Sequence, residues 1–265
     1  MKKHFPTEFV FQVFSLLITV IVVHAIYVAV IRPDARAFLE KEAQAMQADS
    51  NYVPERSLPV IIKDYEQEAC FILMFWAFSI LIYKAIIAYR QRQLLEQDFI
   101  ALSEDMHILP QDTPELSRRI QALPAAVQGF LLPRTLRTAL QRFAATKDIQ
   151  NVSTSVREIA DSEAERLESE LSIIRYIAWA IPSIGFIGTV RGIGDALGQA
   201  HKAVQGDISG VTQSLGVAFN STFIALVISI VLMFFIYQLQ LMQERLVLDT
   251  EYYCDEYLIR HLQVP

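Results

Sequence analysis

The sequence predicts an all-α membrane protein: four transmembrane helices, a helical cytoplasmic bundle, and long helices that extend spans three and four into the cytoplasm. Three observations predict it. Of 265 residues, 53% are hydrophobic and 20% charged, and the mean hydropathy is +0.31, too apolar for an ordinary soluble domain. Four apolar stretches approach the roughly 20 residues that cross a hydrocarbon core of about 30 Å. Elsewhere apolar residues recur at helical spacing, with no period-two segment of length, internal repeat or low-complexity tract.

The first stretch, Phe9 to Ile31, follows Lys2 and Lys3. A signal peptide cut near Val23-His24-Ala25 is the competing reading. The run exceeds the usual h-region of roughly 7–15 residues and continues from Ile26 to Ile31, which favours a retained span. The second stretch, Ala69 to Tyr89, is broken only by Ser79 and by Lys84, which is expected to snorkel to the surface reached by Arg90 and Arg92. The third runs from Tyr176 through Val190 and on through GIGDALG; the fourth runs from Leu215 to Tyr237. Neither has an Asp or Glu in its apolar part. The chain thus divides into 1–31 (first span), 32–68 (periplasmic), 69–89 (second span), 90–171 (cytoplasmic helical domain), 172–237 (spans three and four with a short periplasmic link) and 238–265 (cytoplasmic C-terminal helix).

Orientation follows from the bases. Lys2 and Lys3 precede span one, and Arg90, Arg92, Arg118, Arg119, Arg134, Arg137, Arg142, Lys147, Arg157 and Arg166 lie between spans two and three, so both regions are expected in the cytoplasm, with both termini there. The segment from Arg32 to Glu68 is acidic, with Asp34, Glu40, Glu42, Asp49, Glu55, Asp64, Glu66 and Glu68. It is expected to face outward, as is the nearly neutral link from Lys202 to Gly210.

Within the cytoplasmic segment Pro110, Pro114, Pro124 and Pro133 mark breaks, and Leu94-Leu95-Phe99-Ile100 and Leu136-Leu140-Phe143 carry helical spacing. From Ser155, whose hydroxyl can cap with Glu158, no Pro or Gly occurs before Pro182, predicting one long helix rising into span three. The tail after Gln238 reads as the mirror case, an amphipathic helix with Leu246, Leu248, Tyr252, Tyr253, Tyr257 and Leu258. The net charge of −6 without a basic stripe excludes nucleic acid as an expected partner. Cys70 and Cys254 are too far apart in sequence for a C-x-x-C pair, and no P-loop, H-E-x-x-H or G-x-S-x-G occurs, so neither an enzyme nor a cofactor is expected.

In span three, Ala178, Pro182, Gly185, Thr189, Gly192 and Ala196 follow a four-three-four-three-four spacing that sets them on one helix face. Span four has a matching stripe: Ser214, Ala218, Ser221 with Thr222, Ala225 and Ser229. Small residues let membrane helices approach closely where no hydrophobic force acts between them. Each stripe carries one threonine, whose hydroxyl either bonds back to its own helix or serves a weakly polar seam. His24 within span one reads as a hydrogen-bonded packing residue, and Arg90, Arg92, Glu96 and Asp98 as a solvated helix face.

The run Pro182-Ser-Ile-Gly185-Phe-Ile-Gly188-Thr189-Val190-Arg-Gly192-Ile193, followed by Leu215-Gly-Val-Ala218-Phe-Asn-Ser221-Thr222 and Ala225-Leu226-Val227, resembles the MotA/TolQ/ExbB proton-channel family from about Glu163 to Tyr237. The resemblance implies an inner-membrane subunit forming a homopentamer around a dimer of single-span MotB/TolR/ExbD-like partners, whose Asp carries H⁺ or Na⁺. It implies that Thr189 and Thr222 lie on the ion path, and that Pro182, Gly185, Gly188, Gly192, Ala218, Ser221 and Ala225 pack beside the partner helix. Where the TolQ/ExbB branch has a Glu five residues before the second threonine, this chain has Val217, as in the MotA branch. Arg191 stands where an apolar or aromatic residue is common, and is expected to snorkel. The reading of a different class is a non-conducting membrane scaffold whose stripes only pack its own helices.

Overall fold

The computed structural model describes residues 7–48, 57–97, 99–100 and 107–264. Lys2, Lys3, Asp49, Glu55 and Asp98, which entered the charge reading above, lie outside them. The described chain is almost entirely helical, and its single β-bridge pairs Ile108 with Leu262.

Along the chain, α1 spans Thr7–Ile26 and passes through a π-turn, Tyr27–Ile31, into α2, Arg32–Ala48. Pro33 explains the turn. It has no N–H for the Ala29 carbonyl, and its ring crowds that carbonyl, so the helix widens by a residue rather than ending. Next come α3, Leu58–Ile62, and α4, Tyr65–Leu94. Then α5 is Thr113–Gln121, α6 Ala125–Gln128, α7 Leu131–Thr146 and α8 Ile149–Glu170. After a one-residue break at Leu171, α9 runs Ser172–Gly198; α10, Ala200–Val204, leads to α11, the unbroken Ser209–Tyr257. Four helical stretches are long and apolar enough to cross a membrane: Glu8–Ala45, Tyr65–Leu94, Ile149–Gly198 and Ser209–His261. The long helix expected to lead into span three is therefore present, with a slight break.

Its start differs from the sequence reading. Lys147 adopts a left-handed φ of 52° that closes α7, and Asp148 caps α8 by accepting from the Gln150 N–H at 3.0 Å. Ser155 is instead buried mid-helix, so the Ser155 cap is corrected. The prolines behave as punctuation: Pro114 opens α5, Pro124 precedes α6 and Pro133 sits in the first turn of α7, where a missing N–H is harmless.

The chain forms two compact units, residues Met1–Leu81 with Ile173–Ile236, and Ile82–Ser172 with Tyr237–Pro265. In the second unit, Leu136, Leu140 and Phe143 of α7 lie in a core with Leu94, Ile100, Val152, Val156, Tyr253, Cys254 and Leu258. Leu94 and Ile100 share that core but not one helix, since α4 ends at Leu94. Tyr253 ties the two parts together, accepting from the Phe99 N–H at 3.1 Å and donating to the Gln97 carbonyl at 3.1 Å. In the tail, Leu246, Val247, Tyr253, Cys254 and Leu258 are buried, whereas Leu248, Tyr252 and Tyr257 are exposed, which narrows the expected apolar face.

Lys84 departs most from expectation. It does not snorkel: it is 4% exposed and donates to Glu170 Oε2 at 2.8 Å. A buried ammonium needs a counter-charge more than it needs length, and the end of α8 supplies one. Glu163, 3% exposed, is likewise held between Arg134 at 2.8 Å and Arg166 at 2.6 Å. Arg90, Arg92 and Glu96 are exposed, as a solvated face requires.

Candidate functional site

The first unit contains all of the residues singled out in spans three and four. Helices α9 and α11 meet along the two small-residue stripes, so closely that a Cβ has no room on the glycine side. A Cβ at Gly185 would lie 2.5 Å from Ala225 Cβ; at Gly188, 2.5 Å from Ser221 Cβ; at Gly192, 2.7 Å from the Ser214 carbonyl oxygen. Ala218, Ser221 and Ala225 are correspondingly buried, at 0–1% exposure. The stripe residues thus pack α9 against α11 within the chain.

Pro182 interrupts α9 without ending it. Its missing N–H frees the Ala178 carbonyl four residues back. The hydroxyl of Ser229, on α11, donates to that carbonyl at 3.1 Å. In lipid, where no water can take the freed group, a side chain from a neighbouring helix is the available partner. One turn on, the Cys70 thiol faces the Ile181 carbonyl at 3.7 Å.

The close approach brings Thr189 and Thr222, thirty-three residues apart, into direct hydroxyl contact. The Gly185 carbonyl lies 3.1 Å from Thr222 Oγ1 and the Ala218 carbonyl 3.1 Å from Thr189 Oγ1, each across the helix pair, so one hydroxyl donates to the other and the second to a carbonyl. Thr189 also lies 3.3 Å from the Gly185 carbonyl of its own helix, the local bond such residues often make. Both threonines are half-buried. The arrangement is a compact set of four oxygens, two hydroxyl and two carbonyl, with no carboxylate from either helix. Such oxygens can solvate a small cation or relay a proton, and they hold no charge when empty.

Charged residues collect at one end of these helices. Arg191, 43% exposed, donates to Glu66 Oε2 at 2.8 Å. Glu68 is 6% exposed and accepts from Arg32 and, at 2.6 Å, faces His24 Nδ1. His24 is hydrogen-bonded as expected, and its side chain is 58% exposed within this chain. Burial pushes the Asp64 carboxyl above its ordinary value, against the lowering effect of Lys63 and Arg191. Sequence reading missed Glu66, Glu68 and Ser229 as partners. The signal of Glu66 and Glu68 was no more than an acid in the first turn of α4, and that of Ser229 a hydroxyl in the span-four stripe; only packing pairs them.

Closely packed membrane-length helices meeting at an acid-free hydroxyl pair make a helical membrane protein with a polar seam. Residues 130–252, a little under half of the chain and including both threonines, match the model of the MotA/TolQ/ExbB proton channel family. The matched stretch reaches further on both sides than the motif stretch from Glu163 to Tyr237. The family is one of channels and energisers rather than enzymes. No curated protein matches the chain, and no solved structure does.

Proposed function

We propose that the chain is the channel-forming subunit of an inner-membrane complex that couples an ion-motive force, most simply that of protons, to motion of a single-span partner. The observation that carries this reading is the contact of Thr189 with Thr222 across α9 and α11, with the Gly185 and Ala218 carbonyls completing the oxygen set. Five copies surround a dimer of MotB/TolR/ExbD-like helices, whose Asp binds the ion and is neutralised for passage. The small stripes hold α9 and α11 close, so that the half-buried threonines face the partner. The membrane potential contributes about 2.3 kcal/mol per charge per 100 mV, enough per ion to shift an equilibrium between arrangements a few kcal/mol apart.

In this reading both termini and unit two are cytoplasmic, the 32–68 segment and the α10 link are periplasmic, and 172–237 forms the pore-lining pair. Proton and sodium flux through reconstituted complex tests it. Thr189→Val and Thr222→Val are expected to abolish flux while preserving assembly; unchanged flux sinks the proposal. One observation favours the scaffold alternative: Gly185, Gly188 and Gly192 are already used within the chain, against α11. Native mass in mild detergent separates the two, because a scaffold of this kind is a monomer with no single-span companion.

A further inference from the structure

Unit two holds a cavity of about 170 Å³ that the ion path does not use. It lies between the end of α8 and the part of α11 that follows Tyr237. Leu167, Leu171 and Val247 give it an apolar floor, and Glu165, Glu168 and Glu244 give it an acidic rim. Gln243 also lines it; this side chain is 4% exposed, and its Oε1 is buried with no hydrogen-bond partner. Among the described residues no Lys, Arg or His lines the cavity. An orphaned amide oxygen beside carboxylates is costly unless a donor arrives to use it.

Charge selects a cation, and geometry selects its form. Among the described residues no group of three or more His, Cys, Asp or Glu is arranged to hold a metal ion. A bare ion also gains nothing from an apolar floor. A long side chain ending in a cation fits both halves: its methylene stem covers Leu167, Leu171 and Val247 while its head reaches the oxygens. The place narrows the source. Leu171 directly precedes α9, and Gln240 follows Tyr237 by three residues, so at roughly 1.5 Å per residue the cavity begins within about one turn of the ends of both apolar runs. Membrane proteins concentrate Lys and Arg at the cytoplasmic flank of a span.

We propose that this pocket receives a Lys or Arg side chain from the cytoplasmic flank of the single-span partner and so anchors the partner to this chain. The proposal rests on the channel reading above for the existence of that partner.

The test is native mass spectrometry of the complex coexpressed with its neighbouring genes and extracted in mild detergent. Glu165→Lys with Glu244→Lys is expected to leave the assembly of this chain intact while occupancy by the small single-span chain falls about tenfold. Glu165→Gln with Glu244→Gln, which keeps size and helix preference, is expected to lower occupancy less. Replacing the partner's flanking bases with Glu is expected to restore it in the Lys background. Retention of the partner at the wild-type level in the Lys variant overturns the pocket, as does a loss that the reciprocal change does not restore. Wild-type protein that carries no single-span chain overturns the channel reading itself, and this occupant with it.

Discussion

The hydroxyl of Ser229 on α11 donates to the carbonyl of Ala178 on α9 at 3.1 Å, the carbonyl that Pro182 leaves without its helical partner. A break in one helix is thus repaired by the other, and the repair also fixes their relative register. Ser229→Ala is expected to destabilise the protein by about 1 kcal/mol, near the upper part of the range for polar contacts between membrane helices. In a Pro182→Ala background, where the helical N–H returns to Ala178, the same substitution should cost markedly less. Equilibrium unfolding of all four variants in mixed detergent gives the cycle; equal costs in both backgrounds would show that the bond does not serve the freed carbonyl.

The stripe's glycines should divide by what faces them. At Gly192 a Cβ meets the Ser214 carbonyl oxygen at 2.7 Å and the Ala218 N at 2.8 Å, both backbone atoms that cannot swing away. Gly192→Ala is therefore expected to push α9 from α11 and to separate the threonine pair, costing roughly 1–3 kcal/mol as overpacking does. At Gly194 nothing lies within 4 Å of the added carbon, so Gly194→Ala should be neutral or stabilising by up to about 1 kcal/mol from helix propensity. Comparing the unfolding midpoints of the two variants checks the contrast.

Lys84, 4% exposed, pairs at 2.8 Å with Glu170, which is 29% exposed and also lies 3.6 Å from Arg166. Removing the carboxylate weakens the compensation of a desolvated ammonium, and removing both charges does not. Glu170→Ala is expected to lower stability by about 1–3 kcal/mol, and the double change Lys84→Met with Glu170→Met by clearly less. Thermal unfolding of unit two, followed by loss of its helical signal, should rank the variants in that order; a double variant as unstable as Glu170→Ala would refute the pairing argument.

Cys254 is fully buried in unit two, and burial, reinforced by Glu251 and Asp255, pushes its thiol up to about 12. At pH 8 only about one part in ten thousand is thiolate, so the folded protein should resist maleimide labelling in a Cys70→Ala background. Because the folded value lies above the unfolded one, the neutral thiol's contribution to stability is complete below the ordinary thiol range and declines as pH rises from about 9 toward 12. Labelling that is fast at pH 8 without unfolding would contradict the buried placement.

Much of this architecture was legible because it is local. Apolar run length, helical period and proline position set the four long helices, and the stripe spacing put Thr189 and Thr222 among small neighbours on their helices. Such features depend on each segment alone, since lipid demands that every helix satisfy its own backbone. What tertiary structure alone decided is which side chains meet. Lys84 looked like a surface anchor until α8 brought Glu170, 86 residues away, against it, and Arg191 found Glu66 across 125 residues. Ser155 looked like a cap, yet Asp148 starts the helix. The period of a helix gives the face a residue occupies, but the partner on that face depends on how neighbouring helices rotate and slide, which only packing within each unit settles.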